Sequence, residues 1–424
     1  MKKTLVALAA LSAIAGAAQA QSTVTLYGLV DQYYSGFTQN TVTNSAAATD
    51  PLKSASMRSF NKSGLVDGSF NGSRFGIKGS EDLGGGLSVI FNFEAGINSQ
   101  AGSSTQGSTL FGRRSIVGLS STSYGTFGIG RNSSPFDDVS QNGSMMQGSA
   151  ADPGLTNNAP QALVTKSNTI AQVANTLLTR GFAGNGNTSW IGYSTRFNNS
   201  FRWTSPDWSG FTASAMYGQG EDNTLNADGS TTDPTQMLGG YLQYSKGPLL
   251  VSLGYQSEAQ GGTQATTAAG LTGAATTVGK NQNSTSIAAT SQKPALNNTL
   301  LSVAYDFGAA KVGAQFNQAQ FQDVNFVTAA GTTSMAANNE YSVSIAVPFG
   351  ATTLSAEYAV SQGDSTGKAS GYGLQAKYAL SKRTFVYAGY NALTPFDTLT
   401  TYVQSQGGTV ANVTSYSAGI QHRF

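Results

Sequence analysis

Charged side chains make up only 10% of this 424-residue chain, far below the roughly 25% of soluble globular proteins. Setting aside Lys2 and Lys3 leaves 21 basic residues against 21 acidic ones, so no basic surplus marks a nucleic-acid binder. With no cysteine and one histidine, the chain excludes disulfides and His/Cys metal clusters, and no cofactor is expected.

The chain opens with Met1-Lys2-Lys3, an apolar stretch from Thr4 to Gly16, and the small-residue site Ala18-Gln19-Ala20. This is the pattern of an export signal, too short for a membrane-spanning helix. Residues 1–20 are therefore read as a signal peptide and 21–424 as one exported unit. No later apolar run reaches the length of about 20 residues that a spanning helix needs.

From Thr23 onward the chain reads as strand after strand. Thr23–Tyr34 is followed by a long polar connection, Ser35–Asn71. Arg74–Ile97 then forms a hairpin about the turn Glu81–Gly86, whose three glycines permit positive backbone angles. Phe111–Ser120 and Thr126–Arg131 form the next pair, and Asn132–Asn198 is the longest interruption. Within it, Gln161–Arg180 carries a loose helical spacing of apolar residues.

Ser200–Thr204, Phe211–Gln219, Met237–Ser245 and Leu249–Gln256 follow, then a Gly/Thr/Ala/Gln-rich loop from Ser257 to Asn297. Leu300–Tyr305, Lys311–Asn317, Glu340–Val347, Leu354–Val360, Tyr372–Tyr378, Thr384–Tyr390 and Tyr416–Phe424 complete about sixteen strands. Short and long connections alternate strictly, which would place all short turns at one rim and all long loops at the other. Soluble sandwiches have no reason to sort loops by size, whereas outer-membrane barrels do.

Face chemistry agrees with a barrel in lipid. Leu249, Val251, Leu253 and Tyr255 share one face, as do Tyr341, Val343, Ile345 and Val347. The opposite positions hold Ser342, Ser344, Gln375 and Lys377, which a dry core would penalise. The expected fold is all-β: a transmembrane antiparallel β-barrel of about 16 strands with short periplasmic turns and long extracellular loops. A bilayer admits strands only in such a closed ring, because every backbone polar group must be paired.

Specific motifs then point to a family. They include Leu26-Tyr27-Gly28, Ser73-Arg74-Phe75-Gly76-Ile77-Lys78-Gly79 and Glu81-Asp82-Leu83-Gly84-Gly85-Gly86-Leu87. Later come Phe111-Gly112-Arg113, Gly130-Arg131, Asn199-Ser200-Phe201-Arg202-Trp203, Tyr305-Asp306-Phe307-Gly308 and the closing Gln421-His422-Arg423-Phe424. In this order they resemble the general-diffusion porins of Neisseria and other β-proteobacteria, over nearly all of the mature chain. The resemblance implies a homotrimer in outer-membrane lipid and lipopolysaccharide. It also implies a third extracellular loop folded into the lumen, which here matches Asn132–Asn198.

In that family, basic wall residues face acidic residues on the inward loop. The resemblance places Arg74, Arg131 and Arg202 on the wall, with Lys78, Arg113 or Arg114, and Lys377 as further lumen candidates. Asp137 and Asp138 are the acidic counterparts, and Glu94 is a possible lumen partner. Arg131 shares parity with Phe127 and Ile129, so only a bulge or the strand's exit into the loop would turn it inward. Opposed fixed charges across a water-filled gap select small polar solutes and bias ions by sign, and the basic excess implies a weak anion preference.

The terminal strand resembles the signal read by the barrel-assembly machinery, with Phe424, Ile420 and Tyr416 on one face. The only histidine, His422, lies on that same face, so a Ser-His hydrolase has no base, and no enzyme is expected. Two alternatives remain open: a substrate-selective porin whose long loop forms a specific site, and a surface adhesin or structural barrel.

Overall fold

A computed structural model describes residues 23–44, 55–68, 72–154, 168–169, 190–220, 235–259, 294–328, 331–405 and 409–424. The signal reading of residues 1–20 lies outside these. So does the helical reading of Gln161–Arg180, except at Asn168–Thr169, which are extended instead of helical.

The first half of the chain forms β1 (Thr23–Asn44), β2 (Ala55–Asp67), β3 (Arg74–Gly84), β4 (Leu87–Asn98), β5 (Ser103–Ser104), β6 (Arg114–Ser121), β7 (Gly125–Ser133), β8 (Asn168–Thr169), β9 (Arg196–Thr204) and β10 (Phe211–Gln219). Then follow β11 (Gln236–Lys246), β12 (Leu249–Ala259), β13 (Ala295–Asp306), β14 (Lys311–Gln322), β15 (Asn325–Thr328) and β16 (Gly331–Ser334). The last are β17 (Ala337–Phe349), β18 (Thr352–Gly363), β19 (Gly367–Ala379), β20 (Thr384–Thr394) and β21 (Val413–Arg423).

Neighbouring wall strands are antiparallel, and β1 closes the ring on β21 from Leu29↔Arg423 to Phe37↔Ser415. β2 and β3 share one wall position: β1 pairs with β3 over Thr23–Leu29 and with β2 over Gln32–Asn44. Taking these two as one and leaving out the short β5, β8, β15 and β16, the barrel is closed and 16-stranded. Closure leaves no edge of unpaired backbone groups, which hydrocarbon could not satisfy.

The polarity of this wall is the inverse of a soluble protein's. Leu242, Leu253 and Val343 are 63%, 50% and 60% exposed on the outer face. Their inward neighbours Ser252, Gln315 and Ser342 are 0%, 4% and 2% exposed. Strand alternation therefore aims apolar side chains at an apolar surrounding and buries polar ones inside, as a bilayer demands. Among the described residues no helix is long and apolar enough to span a membrane.

Three sequence expectations need correction. The polar connection Ser35–Asn71 is largely strand, since β1 runs to Asn44 and pairs with β2 along its whole upper part. The sequence of β2 carries no sustained apolar alternation, so periodicity alone does not mark it. For the same reason the alternation of short and long connections is not strict. β18 and β19 extend in polar sequence to Gly363 and Gly367, leaving only residues 364–366 between them. The expected turn Glu81–Gly86 is tighter too: β3 runs to Gly84, and Gly84, Gly85 and Gly86 take φ of 84°, 63° and 78°.

The loop end also has its own small core. A helix, Asp397–Ser405, buries Leu399 and Val403 against Phe396, Ile191, Leu296, Phe321, Val324 and Met335. The hairpin β15–β16 lies between Val324 and Met335, and β15 pairs in parallel with β8 of the longest loop. Three loops are thus tied together above one side of the barrel.

Candidate functional site

The inner wall along β3 to β9 carries a dense group of arginines. Arg74 projects from β3 on the face opposite Phe75 and Ile77. In register with Gly76 on the neighbouring strand sits Glu94. The Arg113 Nε donates to Glu94 Oε1 at 2.6 Å, and Arg74 Nη1 lies 3.8 Å from the same oxygen. The Tyr27 hydroxyl completes the shell, 3.0 Å from Glu94 Oε2 and 2.9 Å from Asn92 Oδ1. One carboxylate is therefore shared by two guanidinium groups, leaving positive charge in excess.

Next along the wall, Ser133 links two more arginines. Its hydroxyl accepts from Arg114 Nη2 at 3.2 Å and from Arg202 Nη1 at 3.2 Å. Arg202 also pairs with Asp138 through Nη2 and donates from Nε to Ser214 Oγ at 3.3 Å. Arg196, the first residue of β9, lies within electrostatic range of Arg113, Asp137 and Glu94. A register shift between β7 and β9, with Asn199 at φ 46°, breaks the alternation just beyond it.

The facing side of the gap is the loop after β7. Ser134 caps a short helix, Pro135–Val139, by accepting from the Phe136 amide at 3.0 Å, with proline at the first turn. Asp137 and Asp138 occupy that turn, where the helix N-terminus favours negative charge. The loop then runs across the inside of β11 to β20. Asn142 Nδ2 donates to Gln243 and Ser252, at 2.7 and 2.8 Å. Gln315 donates to the Ser140 carbonyl at 2.5 Å, Ser344 to the Gly143 carbonyl at 2.9 Å and Asn391 to the Ala151 carbonyl at 3.3 Å. Gly373 allows the closest approach, since a Cβ there would strike the Ala151 carbonyl.

Buried wall carboxylates hold the same loop. Glu340 Oε1 accepts from the Ile191 amide at 2.6 Å, and Glu258 Oε1 accepts from the Ser194 amide at 2.6 Å. Such charge-assisted bonds to backbone amides are about twice as strong as neutral ones. Phe136 and Tyr193 pack edge to face at 4.9 Å, joining the outgoing and returning limbs of the loop. The Tyr193 hydroxyl donates to Asp137 Oδ1 at 2.7 Å. Burial pushes the Asp137 carboxyl above the usual carboxylate range and the Tyr193 phenol well above its own.

The structure thus brings together Arg74, Arg202, Asp138 and Asp137, with Glu94, Arg113 and Arg114. Lys78 shares the inward face but stands one turn-ward step away, its Nζ 5.2 Å over the Tyr27 ring. Lys377 is also apart, over the Phe385 ring at 5.4 Å. Arg131 does not join the group: its Nε donates to the Gly112 carbonyl at 2.6 Å and its Nη1 to Asn198 Oδ1 at 2.7 Å. Both partners belong to a loop and a strand end at the register shift, and among the described residues Arg131 pairs with no carboxylate. Tyr416, Ile420 and Phe424 stand on the outer face, 56%, 46% and 49% exposed, with Phe424 pairing through its backbone to Gly28.

Sequence reasoning missed Arg196, Glu258 and Glu340. The glutamates were visible as charges at the polar parity of apolar-faced strands. Arg196 carried no such signal, because the break at Asn199 removes it from the alternation.

The Gram-negative porin family matches residues 7–398. The chain belongs to that family. An outer membrane porin protein of Bordetella pertussis is 44% identical over 131 residues, covering 31% of this chain and 33% of its own length. Outer membrane porin protein 32 of Delftia acidovorans is 32% identical over 264 residues, covering 62% of each chain. The matched regions thus span about a third and about three fifths of these relatives. Among solved structures, the anion-selective porin from Comamonas acidovorans superposes with a TM-score of 0.65 at 23% identity, covering 95% of this chain and 100% of its own. As a Gram-negative porin with a lipid-facing exterior, the protein resides in the outer membrane.

Proposed function

We propose that this porin is a diffusion channel for small hydrophilic solutes and ions, with a weak preference for anions. The observation that carries the reading is the charge imbalance at the gap. Arg74, Arg113, Arg114, Arg196 and Arg202 face Glu94, Asp137 and Asp138, five cations against three carboxylates. Protonation of the buried Asp137 would widen that excess. The loop lies on the β11–β20 side and meets the arginine wall where Arg202 pairs with Asp138, so the aqueous path runs past that pair along Arg74 and Arg113, where a transverse field acts on passing solutes.

In this reading Arg74 and Arg202 are the principal wall residues of the constriction and Asp138 is its loop-borne counter-charge. Lys78 lines the approach from the turn end, Asp137 braces the loop, and Arg131 supports the strand end. The chain transports and does not catalyse. It assembles as a homotrimer among outer-membrane lipid and lipopolysaccharide, after the barrel-assembly machinery has read Phe424, Ile420 and Tyr416. Residues 1–20 direct export and are then removed.

Purified protein in planar bilayers under a salt gradient tests the function. Stepwise conductance with a reversal potential of the anion-selective sign is expected. Silence would reject the channel, and a clearly cation-selective channel would reject the assigned role of the arginines.

A further inference from the structure

The inner loop has a second fastening, remote from the arginines. Asp152 on the loop and Glu357 on β18 are both buried, 5% and 4% exposed. Both reach the hydroxyl of Ser144: its Oγ lies 3.3 Å from Asp152 Oδ2 and 2.5 Å from Glu357 Oε2. A serine hydroxyl has one proton, so it serves one carboxylate at a time. Ser144 Oγ is itself an acceptor for the Met146 amide at 3.1 Å. Glu357 Oε1 is buried with no hydrogen-bond partner, and Asp152 Oδ1 accepts from the Gly154 amide at 2.8 Å. A Cβ built on Gly154 would stand 3.0 Å from Glu357 Oε1 and 3.2 Å from Asp152 Oδ1, so both oxygens border the same small space.

Among the described residues no cation pairs with either carboxylate. Ser342 on β17 stands beside Glu357, and Ala359 on β18 borders Gly154. Gly373 on β19 and Asn391 on β20 meet the Ala151 carbonyl. Glu340 on β17 is committed to the Ile191 amide, Asn317 and Ser361. Among the described residues, the charge that acts on Glu357 is that of Asp152. Two ionised carboxylates so placed would repel in a low-dielectric site without compensation.

We propose that Asp152 and Glu357 hold the loop to the barrel as a proton-dependent clasp, closed while the pair keeps a proton and loosened when both ionise. The proton sits between loop and wall, so losing it acts on the docked loop more than on a loop in water. Burial pushes the Asp152 carboxyl up to about 7, whereas a solvated aspartate titrates near pH ~4. The sign follows: the docked state holds more protons, so docking is strongest in acid and weakens as pH rises from ~4 to about 7. The clasp makes the channel's geometry a function of pH without any change in the arginines.

Single-channel recordings of the full-length protein at pH 5 and pH 8 test this. The wild type should show one quiet conductance level at pH 5 and added fluctuations or a second level at pH 8. Glu357→Gln and Asp152→Asn, which keep shape and remove the repulsion, should stay quiet at both values. A covalent tether gives an independent reading: a Cβ on Gly389 would lie 2.8 Å from the Ala151 Cβ, about 1 Å inside the usual disulfide spacing of about 3.8 Å, so the loop eases outward as the bridge forms. The chain has no native cysteine to interfere. The oxidised pair Ala151→Cys, Gly389→Cys should abolish the pH effect, and reduction should restore it. A wild type with the same behaviour at both pH values, or a pH effect that survives in Glu357→Gln or in the oxidised tether, would overturn the clasp.

Discussion

The two halves of the barrel's inner wall use charge in opposite ways. Along β3 to β9, arginines outnumber carboxylates and border the gap: Arg74 and Arg113 stand partly exposed on Glu94, and Arg202 is buried against Asp138. Along β12 to β18 the charges are Glu258, Glu340 and Glu357, all buried beneath the loop and engaged with its amides and hydroxyls. A charge facing water acts on solutes at long range. A buried charge acts only on the group it touches, and it fixes position. One wall therefore supplies the field and the other supplies the shape of the channel.

Substitutions on each wall should separate these roles. The largest effect on selectivity is expected from Arg74→Ser combined with Arg202→Ser. Removing two of the five cations should bring the anion-to-cation permeability ratio roughly to unity or below it. Reversal potentials would read this, and an unchanged ratio would dissociate the arginines from the ion path. On the other wall, Glu340→Ala should leave the ratio alone but strip the Ile191 amide and Asn317 of their acceptor. A loss of about 3 kcal/mol in unfolding stability is expected, with noisier conductance. If it instead shifts selectivity with stability intact, the division between the walls fails.

A smaller effect comes from salt. Between 0.1 M and 1 M the screening length falls from about 10 to about 3 Å, so the anion preference should fade while mean pore size holds. A preference that persists in concentrated salt would point to direct ion binding in place of a field. The smallest changes are expected for Arg131→Ser and Lys78→Ser, which stand outside the cluster around Glu94 and Asp138. A selectivity loss from Arg131→Ser as large as that from Arg202→Ser would return Arg131 to the constriction.

Much of this was legible along the chain. The hairpin from Arg74 to Ile97 showed its two faces directly, because alternation with period two is a property of the strand itself. Arg74 and Arg202 could be placed by parity alone, opposite Phe75 and Phe201. Parity failed where the backbone is irregular: the register shift near Asn199 hid Arg196 and left Arg131 ambiguous. It also failed where strands rise beyond the apolar surrounding. β2 and the ends of β18 and β19 carry no sustained apolar alternation in their sequence, so they read as loop although their backbones pair.

What the sequence by itself determined is the inside-out barrel. Sixteen alternating segments have only one closed arrangement that hides every backbone polar group and turns their apolar faces outward. The path of the inner loop was decided by the tertiary structure alone. Its hold depends on Gln315, Ser344, Glu340 and Glu357, which come from strands far apart in the chain and meet the loop only when the ring is closed. Contacts between distant segments follow from geometry in three dimensions, and no local pattern of residues encodes them.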